Sequence, residues 1–357
     1  MGNPPNRLLA ICPIGIGNFL LLEPALRHLK QTAPTLHLGL LCLKPEIARL
    51  AARYSFIDEI LSIDAKAQNG FLQKLSYIKT LRGRFDASLA FFPTNRREYN
   101  LLPFLCAIPE RFAFRYASQR FNSLSFLNTR FAEVRPDTHD LLQNFNLLRF
   151  LDIQPPPSPD LARIPLTPEE HGFAAQYLIE HGLSDRPLIG IHPGSSGDHG
   201  MDKKRWPASR FGELAKLILT KRKARFLVFG GPEEEALKER VVTACGAEAV
   251  AVKTKTFFES TALIEKCDAF ISNDSGLMHV AVCTGVKTVG IFGPTDHVRT
   301  APFGSQNRVI RGECPYQPCW TLSTAGKREA CRFGDVRCLR YLSAEKVFNA
   351  VSAFAPI

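Results

Sequence analysis

Apolar residues along this chain recur in two rhythms, short unbroken runs and longer stretches with helical spacing, and the two alternate throughout. In the first half, runs at 7–13, 36–43, 59–63 and 86–92 read as strands, and 18–32, 45–54, 72–81 and 139–151 as helices. Such alternation argues for βαβ units and a parallel sheet, because a parallel connection needs a crossover. Next comes Asp152-Ile153-Gln154-Pro155-Pro156-Pro157-Ser158-Pro159-Asp160, a stiff proline-rich stretch that reads as a linker. The second half resumes the alternation. Its strands are expected at 188–192, 225–229, 249–252, 269–272 and 288–292, and its helices at 207–221, 233–245, 258–267, 277–284 and 344–354. The pattern predicts an α/β protein of two doubly wound domains, 1–155 and 156–340, with a final helical segment, 341–357, packing back on the first. A ligand cleft is expected between the two domains.

The polar turns after the strands carry the first chemical signal. Asn273-Asp274-Ser275-Gly276 and Gly293-Pro294-Thr295-Asp296 both fall at the C-terminal ends of predicted strands, which line the ligand crevice of an open parallel sheet. The first of these turns also opens a helix, so its backbone N–H groups and the positive end of the helix dipole suit an anion or a nucleotide.

Composition narrows the classes. The chain has 357 residues, 45% of them hydrophobic and 22% charged, enough for two cored domains and against disorder. No run reaches the roughly 18 uncharged apolar residues of a membrane span. The first residues lack a cationic region followed by an apolar stretch, so no secretory signal is expected. A myristoylation reading of Gly2 is weakened by Asn6. A cytoplasmic protein is expected. The net charge of +11 is uneven: residues 1–165 hold 20 Lys and Arg against 13 Asp and Glu. A basic first half suits an anionic partner, or is ordinary solubility charge.

The loop 192–207 offers Ser195 and Ser196, glycines at 194, 197 and 200, and the cations Lys203, Lys204 and Arg205 ahead of Trp206-Pro207. Glycines let a backbone approach a phosphate, hydroxyls donate to its oxygens, and a lysine neutralises it. The spacing is not that of a P-loop. The first strand ends in Pro13-Ile14-Gly15-Ile16-Gly17-Asn18. Gly15 and Gly17 look like the start of a dinucleotide fingerprint, but the third glycine position is Leu20. These two glycines either make a tight strand-to-helix turn or bring the backbone close to a ligand.

Taken together, these residues resemble the heptosyltransferase family, inverting sugar transferases of GT-B architecture with two facing Rossmann-like domains. The resemblance covers nearly the whole chain. It rests on Asn273-Asp274-Ser275-Gly276-Leu277-x-His279 with Gly293-Pro294-Thr295, on Ser195-Ser196 with Lys204-x-Trp206-Pro207, and on Pro24-Ala25-Leu26. It implies a nucleotide-diphospho-sugar donor, typically ADP-heptose, bound by the second domain. The implied acceptor is an anionic, lipid-linked lipopolysaccharide-core saccharide on the first domain, at the cytoplasmic face of the inner membrane. No cofactor is required for catalysis and no nucleic acid is expected. The donor set would be Ser195, Ser196, Lys204, Asp274, Ser275, Gly276, Leu277, Gly293, Pro294 and Thr295, with Glu233 for the ribose and His279 as either a phosphate contact or a core histidine.

One position departs from the family. Asn18 stands where an Asp is taken as the base, and an amide cannot accept a proton at useful pH. Glu23 or Glu98 serves instead, or base assistance is weak, or the chain binds a nucleotide sugar without transferring it. A GT-B epimerase is a further alternative. On the acceptor side stand Gly15, Gly17, Arg96 and Arg97. Arg82, Arg84, Arg111, Arg115, Arg120 and Arg130 lie nearby, interleaved with Phe112, Phe114, Tyr116, Phe121 and Phe126. They read as an anion-gripping, membrane-facing surface or as a solvated loop over buried rings. Finally, Cys314, Cys319, Cys331 and Cys338 cluster in the sequence and suit structural zinc or iron, oxidised pairs, or free buried thiols.

Overall fold

The computed structural model describes residues 5–12, 15–62, 71–94, 96–116, 123–321 and 331–353, with side chains except at 71–75, 198 and 199. The chain divides into two compact units, Met1–Ala162 and Arg163–Ile357, so the boundary falls just past the proline-rich stretch.

In the first unit the strands are β1 (Arg7–Ile11), β2 (His37–Cys42), β3 (Glu59–Ser62), β4 (Ala87–Ala90), β5 (Glu110–Arg115) and β6 (Arg130–Glu133). The helices are α1 (Ile16–Thr32), α2 (Pro45–Ala51), α3 (Phe71–Leu81), α4 (Arg97–Leu105) and α5 (Asp140–Leu148). All strand pairings are parallel, in the order β3-β2-β1-β4-β5-β6. The central strand β1 is buried along Leu8–Ile11, as expected of a strand covered on both faces.

The second unit repeats this plan with β7 (Leu188–His192), β8 (Arg225–Val228), β9 (Ala249–Ala251), β10 (Ala269–Asn273), β11 (Lys287–Phe292) and β12 (Arg308–Arg311). Its helices are α6 (Pro168–Glu180), α7 (Ala208–Lys221), α8 (Glu235–Cys245), α9 (Phe257–Glu265), α10 (Gly276–Cys283), α11 (His297–Thr300), α12 (Arg337–Arg340) and α13 (Ala344–Ser352). The parallel order is β12-β11-β10-β7-β8-β9. In each sheet the order reverses between two central strands, β1 and β4 in the first and β7 and β10 in the second. Ligands of such sheets bind outside the carboxyl ends of those strands.

The closing helix is where the sequence reading needs correction. Expected against the first unit, α13 packs on α7 and β12. Its Ala344, Val347 and Val351 repeat at helical spacing and lie in the core of the second unit, beside Trp206, Phe211 and Leu214. Burying each valine is worth roughly 1.5–3 kcal/mol, which fixes the helix there. Helices α4, α6, α11 and α12 and strands β5, β6 and β12 also go beyond the expected elements. Among the described residues no helix is long and apolar enough to cross a membrane.

Candidate active site

The carboxyl ends of β7 and β10 lie side by side, with His192 paired in register to Ser272. The loop that follows β7 is pinned by one side chain from β10. Asn273 donates from Nδ2 to the carbonyls of Pro193 at 2.8 Å and Gly194 at 3.3 Å, while its Oδ1 accepts the Trp206 N–H at 2.8 Å. Both ends of the 193–206 loop are thereby clamped to the strand. The sequence reading placed Asn273 in the motif but gave it no task.

With the loop so held, Lys204 reaches Asp274. The ammonium Nζ lies 3.0 Å from Asp274 Oδ2, and the two side chains are only 7% and 10% exposed. A cation and an anion drawn from different strand-end loops thus form a nearly dry pair. Ser195 is buried, donates to the Met201 carbonyl at 3.0 Å and accepts from Arg205 Nε at 3.2 Å, whereas Ser196 is exposed. Ser275 caps α10, accepting the Met278 N–H. Gly276 is exposed at that helix start, and His279 is buried one turn further on.

Two residues outside the expected set complete the crevice. His192, the last residue of β7, sits with Nδ1 2.9 Å from Ser275 Oγ and Nε2 3.1 Å from Glu234 Oε2. Glu234 also accepts the Gly231 N–H at 3.0 Å and faces Arg205 at 3.7 Å. Burial raises the Glu234 carboxyl, but the His192 contact, the Gly231 N–H and Arg205 outweigh it and hold it below the usual carboxylate range. Of the consecutive glutamates it is therefore Glu234, and not the exposed Glu233, that turns inward. Gly194 leaves room for that carboxylate: a Cβ on it would lie 1.9 Å from Glu234 Oε1 and would displace it.

The Gly293-Pro294-Thr295 turn follows β11. The Gly293 carbonyl accepts from Gln317 Nε2 at 2.6 Å, and the Pro294 carbonyl from the backbone N–H of Cys319 and Trp320. The cysteine-bearing segment is thereby tied to this turn. All four cysteines are free thiols, and Cys338 is pushed up to about 12 by burial and the neighbouring Cys314, Cys319 and Cys331. Among the described residues no three His, Cys, Asp or Glu side chains are placed to hold a metal ion. Cys314, Cys319 and Cys331 all lie close enough to Cys338 to act on its thiol.

In the first unit, Pro13 and Ile14 lie outside the described residues. Gly15 caps α1 at φ 125°, a conformation other residues rarely adopt, and Gly17 and Asn18 follow in the first helical turn. Glu23 is turned inward: its buried carboxylate is bound by Arg27 Nε at 2.8 Å and lies 3.5 Å from the Ala162 N–H, while burial raises its pKa. Glu98 is 61% exposed beside Arg97, and Arg96 is exposed as well. Arg84 pairs with Glu59 just before β4, at the end of the sheet away from the crevice. Arg111 is a staple, donating to the carbonyls of Ile108, Pro109 and Leu127. Phe112, Phe114 and Tyr116 are core residues, while Phe104 and Phe126 are 47% and 48% exposed. Arg120 and Phe121 lie outside the described residues.

The switch point of this sheet thus brings together a lysine, hydroxyls and a helix start, groups of the kind that phosphate sites use. Residues 75–327 match glycosyltransferase family 9 (heptosyltransferase). The chain belongs to this family. It is 26% identical over 318 residues to lipooligosaccharide heptosyltransferase 2 of Haemophilus influenzae, covering 85% of this chain and 88% of that protein. A match of 30% over 188 residues to the Campylobacter jejuni enzyme of the same name covers half of this chain and 54% of that one. The solved structure of Escherichia coli ADP-heptose lipopolysaccharide heptosyltransferase II superposes over 98% of both chains with a TM-score of 0.73 at 20% identity. The two six-stranded parallel sheets are those of the GT-B heptosyltransferases.

Proposed function

We propose that this glycosyltransferase moves a heptosyl group, with inversion, from ADP-heptose to an anionic lipopolysaccharide-core saccharide. The observation that carries the reading is the buried Lys204–Asp274 pair at the switch point of the second sheet. Departure of the diphosphate builds negative charge, so fixed donors aimed at it lower the barrier. Lys204, the exposed Ser196 hydroxyl and the N–H groups at the start of α10 supply them, and no divalent metal is needed for that step. Asp274 keeps Lys204 in place and has a second oxygen free to accept from a sugar hydroxyl.

On the acceptor side Asn18 orients the attacking hydroxyl. With Glu23 sealed by Arg27, the proton passes to Glu98 or to solvent. An oxocarbenium-like transition state asks little of the nucleophile, so weak base assistance suffices. The same position motivates the second reading, a protein that binds the nucleotide sugar without transferring it.

We further infer that the first unit works against the cytoplasmic face of the inner membrane, where a lipid-linked acceptor resides. Phe104 and Leu105 end α4, and Phe126 sits in the adjoining turn. The Arg111 guanidinium lies 5.6 Å over the Phe104 ring, and the Asn128–Asn100 bond at 2.7 Å fastens the turn to the helix. Exposed apolar side chains with arginines beside them suit the interface of an anionic bilayer.

Incubation with ADP-heptose and a heptose-deficient core acceptor tests the function. Release of ADP with a matching mass gain on the acceptor supports transfer. Donor binding without product in either the wild type or Asn18→Asp supports the non-catalytic reading.

A further inference from the structure

His192, Ser275 and Glu234 form a largely buried array of which the donor reading uses only Ser275. Ser272 narrows its hydrogen-bond directions. Its hydroxyl donates to the Asn273 carbonyl at 2.7 Å, so toward Ser275 Oγ, at 3.0 Å, it presents an acceptor. It also lies 3.4 Å from His192 Nδ1. Ser275 has one proton to give, and three acceptors compete for it: His192 Nδ1, Ser272 Oγ and any anion at the start of α10. Which one takes it depends on the ring.

Glu234 is an ionised acceptor, so Nε2 of His192 carries a hydrogen and points it at Oε2. In the neutral ring Nδ1 is then an acceptor and draws the Ser275 proton inward. In the protonated ring Nδ1–H donates to Ser275 Oγ instead. The serine proton must then turn to Ser272 or out toward the crevice. A charged ring therefore frees Ser275 as a donor and adds a positive charge behind it. A bound anion favours that state, and by linkage the state favours the anion.

We propose that docking of a nucleoside diphosphate at this crevice is coupled to uptake of one proton by His192, which Glu234 holds in place and which turns the Ser275 hydroxyl onto the phosphate. The proposal rests on the reading of this crevice as the donor site. His192 is a positioning residue: it acts through Ser275. The groups around it balance in its favour. Glu234 touches the ring directly, Arg205 stands behind Glu234 at 3.7 Å, and Lys204 on the neighbouring loop is neutralised by Asp274. The array also joins two strand-end loops, because Glu234 belongs to the loop after β8 and Ser275 to the loop after β10.

Calorimetry of ADP binding to the full chain at pH about 7.5, in two buffers of different ionisation heat, counts the protons taken up. His192→Gln supplies the baseline, since the protonation of ADP itself is common to both proteins. The expected result is a proton uptake measurably larger in the wild type than in the variant, with ADP affinity falling about tenfold in the variant. Equal proton counts overturn the proposal while leaving the donor site intact. Absence of ADP binding to the wild type overturns the donor reading and the proposal with it. If His192→Gln does not fold, nitrogen-15 spectra of the wild-type histidines decide: a ring that stays neutral in the ADP complex overturns the proposal, and conversion to imidazolium supports it.

Discussion

Lys204 and Asp274 meet at 3.0 Å although 70 residues separate them, each carried to the carboxyl end of its sheet by a different strand-end loop. Both are almost wholly shielded, so neither charge has water to fall back on. The crevice therefore holds its buried cation by an internal counter-charge.

Breaking that pair from one side leaves a buried charge unmatched. Lys204→Met is expected to lower unfolding free energy by about 3–5 kcal/mol, and Lys204→Met with Asp274→Leu to recover most of the loss. Urea unfolding measures both. Transfer activity is expected to be absent in each, which separates the role in folding from the role in catalysis.

Acid unfolding should report Glu234. Its folded pKa lies below the unfolded value of about 4.3. The stabilisation is therefore fully present above that pH and is lost as pH falls through the folded value. Glu234→Gln should flatten this part of the stability–pH curve, while an unchanged acid limb would assign the loss to other carboxylates.

How far these residues could be read from sequence depends on where their partners lie. The unbroken apolar runs of β7, β10 and β11 are legible because a strand buried on both faces admits little else. Strand β5, next to the edge, and the edge strands β6 and β12 begin and end on arginines or glutamates and lose that signature. Helix α4 is obscured by Pro103, and α6 was missed although the Thr167–Glu170 capping box marks its start. His192 reads as the end of a strand, because the atoms that give it meaning belong to Ser275 and Glu234, 83 and 42 residues on. The choice of Glu234 over Glu233 rests on the phase of the short turn after Pro232, which one-dimensional spacing does not set.

The cysteine segment should divide by reactivity. Burial raises the Cys331 thiol, but the N–H groups of Phe333, Val336, Gly334 and Arg337 outweigh it and bring it below the usual value. Cys338 stands near 12. A thiolate is the reacting form. Brief alkylation at neutral pH, read by peptide mass, should modify Cys331 well before Cys338; the reverse order would contradict the placement of this segment.

At the first unit, Phe104→Ser with Phe126→Ser should weaken sedimentation with phosphatidylglycerol vesicles by more than about tenfold, given roughly 1.5–3 kcal/mol for a fully buried aromatic. Transfer to a delipidated, water-soluble acceptor should be unaffected. Equal vesicle binding by wild type and double variant would remove the membrane reading.

A crystal structure of the protein with ADP-heptose bears most directly on the whole account. The account predicts the diphosphate at the start of α10, within hydrogen-bonding distance of Lys204 Nζ and the Gly276 N–H, with Ser275 Oγ facing a phosphate oxygen. A diphosphate bound elsewhere, with the Lys204–Asp274 pair closed and unvisited, would contradict it.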